Sequence, residues 1–180
     1  MAKNVLIISS SLRSGSNSEI LAKECERGAR DAGHHVQMIS LKGKKISFCI
    51  GCLSCQRTGT CVLKDDAAQI MEQVRSAQVI VFATPIYYYE MSGQLKTLLD
   101  RMNPLYTADY AFRDIYLIAT AAEAEETAFD KAYNGLQGWV DCFEKASLKG
   151  IVTGAGIADA KDAPNHDDVM KKAYDLGRGL

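Results

Sequence analysis

The sequence predicts a doubly wound α/β fold: a five-stranded parallel sheet with helices on both faces. Two observations carry this. Five short runs rich in β-branched residues are almost free of charge, as strands buried on both faces must be. Longer amphipathic stretches separate them, and each parallel pair of strands needs such a crossover. Right-handed crossovers and a count of five favour the strand order 2-1-3-4-5 over the six-stranded dinucleotide arrangement.

The strands are expected at Val5–Ile8, Val36–Ile39, Val79–Ala83, Ile115–Ala119 and Ile151–Thr153. The first helix opens on Ser16-Asn17-Ser18-Glu19, which fits a capping box, and stops near Gly33. Ile20, Leu21, Cys25 and Ala29 keep to one of its faces. The second begins around Asp66, with Gln69 three residues on and Ile70 and Val74 inward. Helix three runs from about Ser92 to Met102, helix four from roughly Glu125 to Lys145, and the last from roughly Asp167 to Leu176.

Composition bounds the function. The chain has 180 residues, 47% hydrophobic, and its 21 Lys and Arg against 22 Asp and Glu leave a net charge of −1. A length of this order is one domain, residues 1–180. The hydrophobicity excludes a disordered chain, and the absent basic excess argues against a nucleic-acid partner. No signal peptide is visible, and no apolar run approaches the ~20 residues that span a bilayer. A cytoplasmic protein with no membrane partner is expected. The 6 cysteines cluster, with Cys49, Cys52, Cys55 and Cys61 in one short segment, unlike a secreted disulfide scaffold.

In a 2-1-3-4-5 sheet a ligand sits where the order reverses, above the carboxyl ends of strands one and three. The first of these loops, Ser9 to Ser18, offers six serines, Asn17 and Arg13 at the start of a helix, where free N–H groups favour an anion. With no P-loop lysine, it suits a monophosphate. A solvated, capped turn is the plainer reading, but the Arg among so many hydroxyls favours phosphate. The second loop, Thr84-Pro85-Ile86-Tyr87-Tyr88-Tyr89-Glu90-Met91-Ser92-Gly93, carries three tyrosines that are costly to expose without a partner surface. A flat conjugated ligand beside the phosphate gives these rings something to pack on, and FMN fits that description.

Three segments then carry a resemblance: Ser11, Arg13, Asn17 and Ser18; Thr84 to Arg101; and Cys49 to Asp66. Together they resemble the flavodoxin-like NAD(P)H-dependent FMN reductases, and more closely the branch with the iron–sulfur flavoproteins and multimeric flavodoxins. The likeness runs from strand one to Arg101 and weakens after it. It implies that Ser11, Arg13, Asn17 and Ser18, with Ser9 and Ser16 in the same loop, hold the FMN phosphate. It also implies that Pro85, Ile86, Tyr87 and Tyr88 meet the isoalloxazine and ribityl. The family often has Gly-Ser-Pro-Arg where this chain has Ser10-Ser11-Leu12-Arg13, a change in loop stiffness more than in phosphate chemistry. Thr120–Glu123 corresponds to a third contact region without a sharp motif. A homodimer or homotetramer is the expected assembly.

The cysteines occupy a Cys-rich insertion at about residues 42–64, longer than compact domains usually tolerate without a function. The C-x2-C-x2-C triplet, with a fourth Cys after five intervening residues, resembles the spacing of a [4Fe–4S] site. Structural zinc normally pairs two knuckles farther apart. Unligated thiols folded over the flavin or at a subunit interface are the plain alternative. Cys25 and Cys142, on helix faces, are expected to be buried packing residues. Gly154 to Asp159 lacks the third Gly and the downstream βαβ unit of a dinucleotide fingerprint, and no metal spacing links His34, His35 and His166. Tyr106, Tyr110 and Phe112 are expected to pack on a neighbouring subunit.

These readings combine into an FMN-dependent oxidoreductase that takes a hydride from NADH or NADPH and passes electrons to a quinone, flavin or other small acceptor. The flavin carries the chemistry, so no catalytic side chain is expected. One alternative is an iron–sulfur flavoprotein relaying electrons from a ferredoxin-like donor through Cys49, Cys52, Cys55 and Cys61 to FMN. The other is a non-enzymatic flavin or thiol redox sensor.

Overall fold

The computed structural model describes residues 1–180. Five parallel strands form the sheet: β1 (Asn4–Ser9), β2 (His35–Ser40), β3 (Val79–Tyr87), β5 (Asp114–Thr120) and β6 (Ser147–Gly154). Their order, β2-β1-β3-β5-β6, is the expected 2-1-3-4-5 once a short sixth strand is set aside. That strand, β4 (Glu90–Met91), folds back antiparallel on the end of β3 and pairs Ile86 with Met91 and Tyr87 with Glu90. β3 therefore runs four residues past Ala83, which carries Thr84 to Tyr87 out over the sheet's carboxyl edge.

Alternation along the strands divides the core. Leu6, Ile8, Ile80, Phe82, Ile115 and Leu117 face α3 (Asp66–Ser76), α4 (Gly93–Arg101) and α5 (Asp130–Val140) in a cluster of 29 buried residues. Val5, Ile7, Val79, Val81 and Ile118 face α1 (Asn17–Asp31) and α6 (Asp167–Arg178) in a cluster of 16. β1 and β3 contribute to both, which is why their sequences show no polar alternation. No helix is long and apolar enough to cross a membrane.

Several sequence expectations are corrected. The Ser16 capping box does not form: Ser16 makes no side-chain cap, and its hydroxyl lies 3.0 Å from that of Ser18. The second helix does begin at Asp66 as expected, with Asp65 as its cap, the carboxylate accepting the Ala67 N–H at 3.1 Å. The fourth helix is shorter than expected. A 3-10 turn at Glu126–Phe129 precedes it, and it ends at Val140, where a turn sends Phe143 into the core. Cys142 rides that turn and is exposed, whereas Cys25 is buried as expected, its thiol pushed up to about 12 by burial and then by Glu26. Phe112 is fully buried within its own chain, stacked on Tyr110 at 4.3 Å and packed against Phe143 and Trp139. Only Tyr106 of that trio remains largely exposed.

α1 and α6 cross backbone to backbone. A Cβ on Gly177 would stand 2.0 Å from the Cys25 carbonyl oxygen, and one on Gly28 would stand 2.1 Å from that of Tyr174. Neither neighbour is a side chain that can swing away. Gly177→Ala is expected to lower the urea unfolding free energy by about 3 kcal/mol. Gly138→Ala, at a helical site with nothing within 4 Å, is the control expected to leave it the same or raise it.

Candidate functional site

The site grows out of the loop after β1. Ser10 donates its hydroxyl to the Ala83 carbonyl at 3.1 Å and accepts one from Ser92 at 2.8 Å. The Ser92 N–H in turn donates to Thr84 Oγ1 at 3.0 Å. This buried chain pins the loops after β1 and β3 to each other and to the start of α4. It is invisible to local sequence patterns because Ser10 lies more than seventy positions from both of its partners.

Asn17 makes the second tie. Its side-chain amide donates to the carbonyls of Asp159 at 2.7 Å and Ile157 at 3.3 Å, and its Oδ1 accepts the N–H groups of Asp162 and Ala163 at 2.9 and 3.0 Å. Arg13 adds a bond from Nη1 to the Ala158 carbonyl at 2.9 Å. The loop after β6 is thereby laid against the first turn of α1. With its side chain spent on that loop, what Asn17 presents to an anion is its main-chain N–H, next to those of Ser18 and Glu19, all uncapped.

A hollow of about 200 Å3 opens between these loops. Ser11, Arg13, Ser16 and Asn17 form its polar end. Pro85, Ile86 and Tyr87 form its apolar side, facing Thr120, Ala121, Ala122, Ile157 and Ala158 from the loops after β5 and β6. Two residues before Ser11, at the end of β1, Ser9 is fully buried and its hydroxyl has no partner in the chain, an orphan of the kind that calls for an explanation such as a ligand or water. Free helix N–H groups, clustered hydroxyls and an Arg suit a phosphate, and the apolar side suits a flat ring. The residues present therefore fit a flavin mononucleotide.

Of the sequence candidates, Ser11, Arg13, Ser16, Asn17, Pro85, Ile86 and Tyr87 line this hollow, whereas Ser9 and Ser18 are fully buried and are not on its wall. Tyr88 lies apart. It forms the tip of the β3–β4 hairpin with Tyr89, both left-handed at φ 51° and 65°, and is 99% exposed. Two-residue turns of this kind favour Asn and Gly, so bulky rings there are strained. Sequence reasoning missed Ile157 and Ala158, because the Gly154–Asp159 run fits no phosphate fingerprint. Only its position after the last strand could have flagged it.

The four clustered cysteines meet at a second place. Cys49, Cys52, Cys55 and Cys61 line one small hollow of about 30 Å3, walled by Ile50, Leu53, Val62 and Leu63. A five-residue helix, α2 (Ser54–Thr58), lies inside the loop, and Asn103 Nδ2 donates to Cys55 Sγ at 3.0 Å. The main-chain N–H and hydroxyl of Ser54 draw the Cys52 thiol below its ordinary value. No three of these ligands approach as closely as a single metal ion requires, so a mononuclear tetrahedral site is not built.

Both ends of this loop are held by one buried guanidinium. Arg101 grips Asp65 with two bonds of 2.6 and 3.0 Å and donates to the carbonyls of Ser47 at 2.8 Å and Leu63 at 3.4 Å. Burial raises the Asp65 carboxyl, but Arg101 and the N–H groups of Ser47 and Ala67 outweigh it and hold the pKa at about 2.

Residues 3–133 match the family described as NADPH-dependent FMN reductase. An iron–sulfur flavoprotein of Methanocaldococcus jannaschii is 36% identical over 101 residues, covering 56% of this chain and 52% of that one. An iron–sulfur flavoprotein of Archaeoglobus fulgidus is 34% identical over 105 residues, 57% of this chain and 46% of that one. The chain thus spans about half the length of these curated relatives. Among solved structures, the NAD(P)H:quinone oxidoreductase from Methanothermobacter marburgensis shares the fold, with a TM-score of 0.78 over 100% of this chain and 96% of that chain at 17% identity.

Asp65→Asn strands the buried Arg101 charge and is expected to cost about 3–5 kcal/mol at pH 7. Because the carboxyl is depressed, its contribution is complete above the unfolded carboxylate range near pH 4 and is lost as pH falls through about 2. Urea titrations at stepped pH should show the gap between wild type and variant constant down to about pH 4 and closing towards pH 2.

Proposed function

The chain belongs to the NADPH-dependent FMN reductase family, and on that premise we propose that it is an FMN-dependent NAD(P)H oxidoreductase passing electrons to a quinone, a flavin or another small acceptor. One observation supports this above the rest. At the sheet's switch point, one hollow joins a polar end of Ser11, Arg13, Ser16 and Asn17, at an uncapped helix start, to an apolar side of Pro85, Ile86 and Tyr87.

The redox chemistry is the flavin's own. What the chain contributes is placement. The N–H groups of Asn17, Ser18 and Glu19, the hydroxyls of Ser9, Ser11 and Ser16, and the Arg13 guanidinium would hold the phosphate. Pro85, Ile86 and Tyr87 on one side and Ala121, Ala122 and Ile157 on the other would fix the ring and exclude water.

A second reading adds an iron–sulfur cluster in the cysteine hollow, with electrons arriving from a ferredoxin-like donor. Four thiols around one apolar hollow favour it, since the corners of a cluster lie farther apart than the ligands of one ion. The names of the two relatives favour it as well. A homodimer or homotetramer accounts for the exposed Tyr88, Tyr106, Phe48 and Ile50.

Purified protein is expected to carry FMN and to oxidise NADPH with a quinone acceptor. Arg13→Ala, with an unchanged circular dichroism spectrum, should weaken FMN binding by about tenfold or more; undiminished affinity would remove Arg13 from the phosphate site. Anaerobically purified protein is assayed separately for iron and sulfide. Stoichiometric iron that disappears when Cys49, Cys52, Cys55 and Cys61 are changed to Ser, with FMN retained, supports the cluster. Iron-free wild type eliminates it.

A further inference from the structure

The cysteine loop also has the makings of a thiol chemistry that needs no metal. Cys49, Cys52, Cys55 and Cys61 share one hollow of about 30 Å3, room for little more than a water molecule. Side chains that share so small a gap stand close to one another. Their exposure gives them unequal parts. Cys49 and Cys52 are exposed, Cys61 is half-buried, and Cys55 is only 8% exposed. An exposed thiol meets solutes, and a second thiol held beside it captures the oxidised sulfur before further oxidant arrives. Cys55 is so held, since it lies within α2 and its Sγ accepts the Asn103 amide at 3.0 Å.

The backbone between Cys52 and Cys55 singles out that pair. Leu53 is left-handed, at φ 54° and ψ 10°, and turns the chain from Cys52 directly into α2. A bulky residue is strained there, and the Leu53 side chain is itself exposed, so its own packing does not account for the conformation. Strain of this kind collects where a fold must hold particular side chains in place. The turn between Cys49 and Cys52 is different, because its left-handed residue is Gly51, which adopts φ 64° without cost.

We propose that Cys52 and Cys55 form a dithiol that a hydroperoxide oxidises to a disulfide, Cys52 being attacked first and Cys55 resolving it. In the first step the Cys52 sulfur attacks the peroxide. The O–O bond breaks, Cys52 becomes a sulfenic acid, and the remainder leaves as alcohol or water with the thiol proton. In the second step the Cys55 sulfur attacks that of Cys52. The S–S bond forms, the S–O bond breaks, and the hydroxyl leaves as water with the Cys55 proton. Two thiols give up two electrons and one peroxide takes them. The oxidised loop then lacks half of the thiols that a cluster would need. None of this rests on the flavin.

The test starts from the 180-residue chain purified with chelator and reductant, then desalted and given one equivalent of hydrogen peroxide. Thiols titrated in denaturant are expected to fall from 6 to 4 per chain. Alkylation with one reagent before reduction and a second after it should put the second label on Cys52 and Cys55 alone. Cys55→Ser is expected to stop at a Cys52 sulfenic acid that dimedone traps, and Cys52→Ser should lose no thiols. Cys142, exposed and outside the loop, is the internal control. A count that stays at 6, a second label on Cys49 or Cys61, or dimedone on Cys142 ahead of Cys52 overturns the assignment. Neither FMN content nor NADPH turnover enters these readouts, so the reductase reading stands or falls separately.

Discussion

The candidate site depends on a single side-chain amide. Asn17 stands at the first position of α1 and gives all four of its hydrogen bonds to the main chain of the loop after β6. That loop supplies Ile157 and Ala158 to the hollow, and Arg13 is drawn to the same loop through the Ala158 carbonyl. Because the amide looks outward to residues 157–163, the helix start keeps its N–H groups free. An ordinary capping serine would have consumed one of them. The missing cap at Ser16 and the engaged amide at Asn17 are thus two sides of one arrangement, a helix start kept open for an anion.

α4 joins this site to the cysteine loop. At its N-terminal end Ser92 is bonded to Ser10 and Thr84, in the loops that frame the candidate hollow. Beyond its C-terminal end Asn103 touches Cys55, and from its last turn Arg101 closes the base of the loop through Asp65, Ser47 and Leu63. A helix of nine residues is about 14 Å long. The two places where chemistry is expected are therefore ends of one rigid rod, and each end is held by buried polar contacts whose loss would leave unsatisfied groups.

Much of this was legible in the sequence. Apolar runs such as Val79–Ala83 suit strands buried on both faces, and the crossover rule with a count of five then favours their order and the switch point. Serines, an Asn and an Arg after one strand and a Pro-Ile-Tyr run after another were enough to locate the hollow. What escaped has a common cause: it is decided by partners far away in the chain. Nothing near Asn17 reveals that its amide is engaged at residues 157–163. Phe112 and Cys142 exchanged their expected environments, because the early end of α5 turns Phe143 inward and Cys142 outward. The β3–β4 hairpin was unreadable for the opposite reason. Its two-residue turn is made of Tyr88 and Tyr89, which local turn chemistry argues against.

The account stands on the claim that the start of α1 grips a phosphate while the apolar wall takes the ring. Titration of the flavin-free protein with FMN and with riboflavin, followed by quenching of flavin fluorescence, tests it most directly, because the two ligands share the ring and differ in the phosphate. FMN is expected to bind about a hundredfold or more tightly than riboflavin, the value of several charge-assisted hydrogen bonds to one anion. Equal affinities, or binding of neither, would contradict the account.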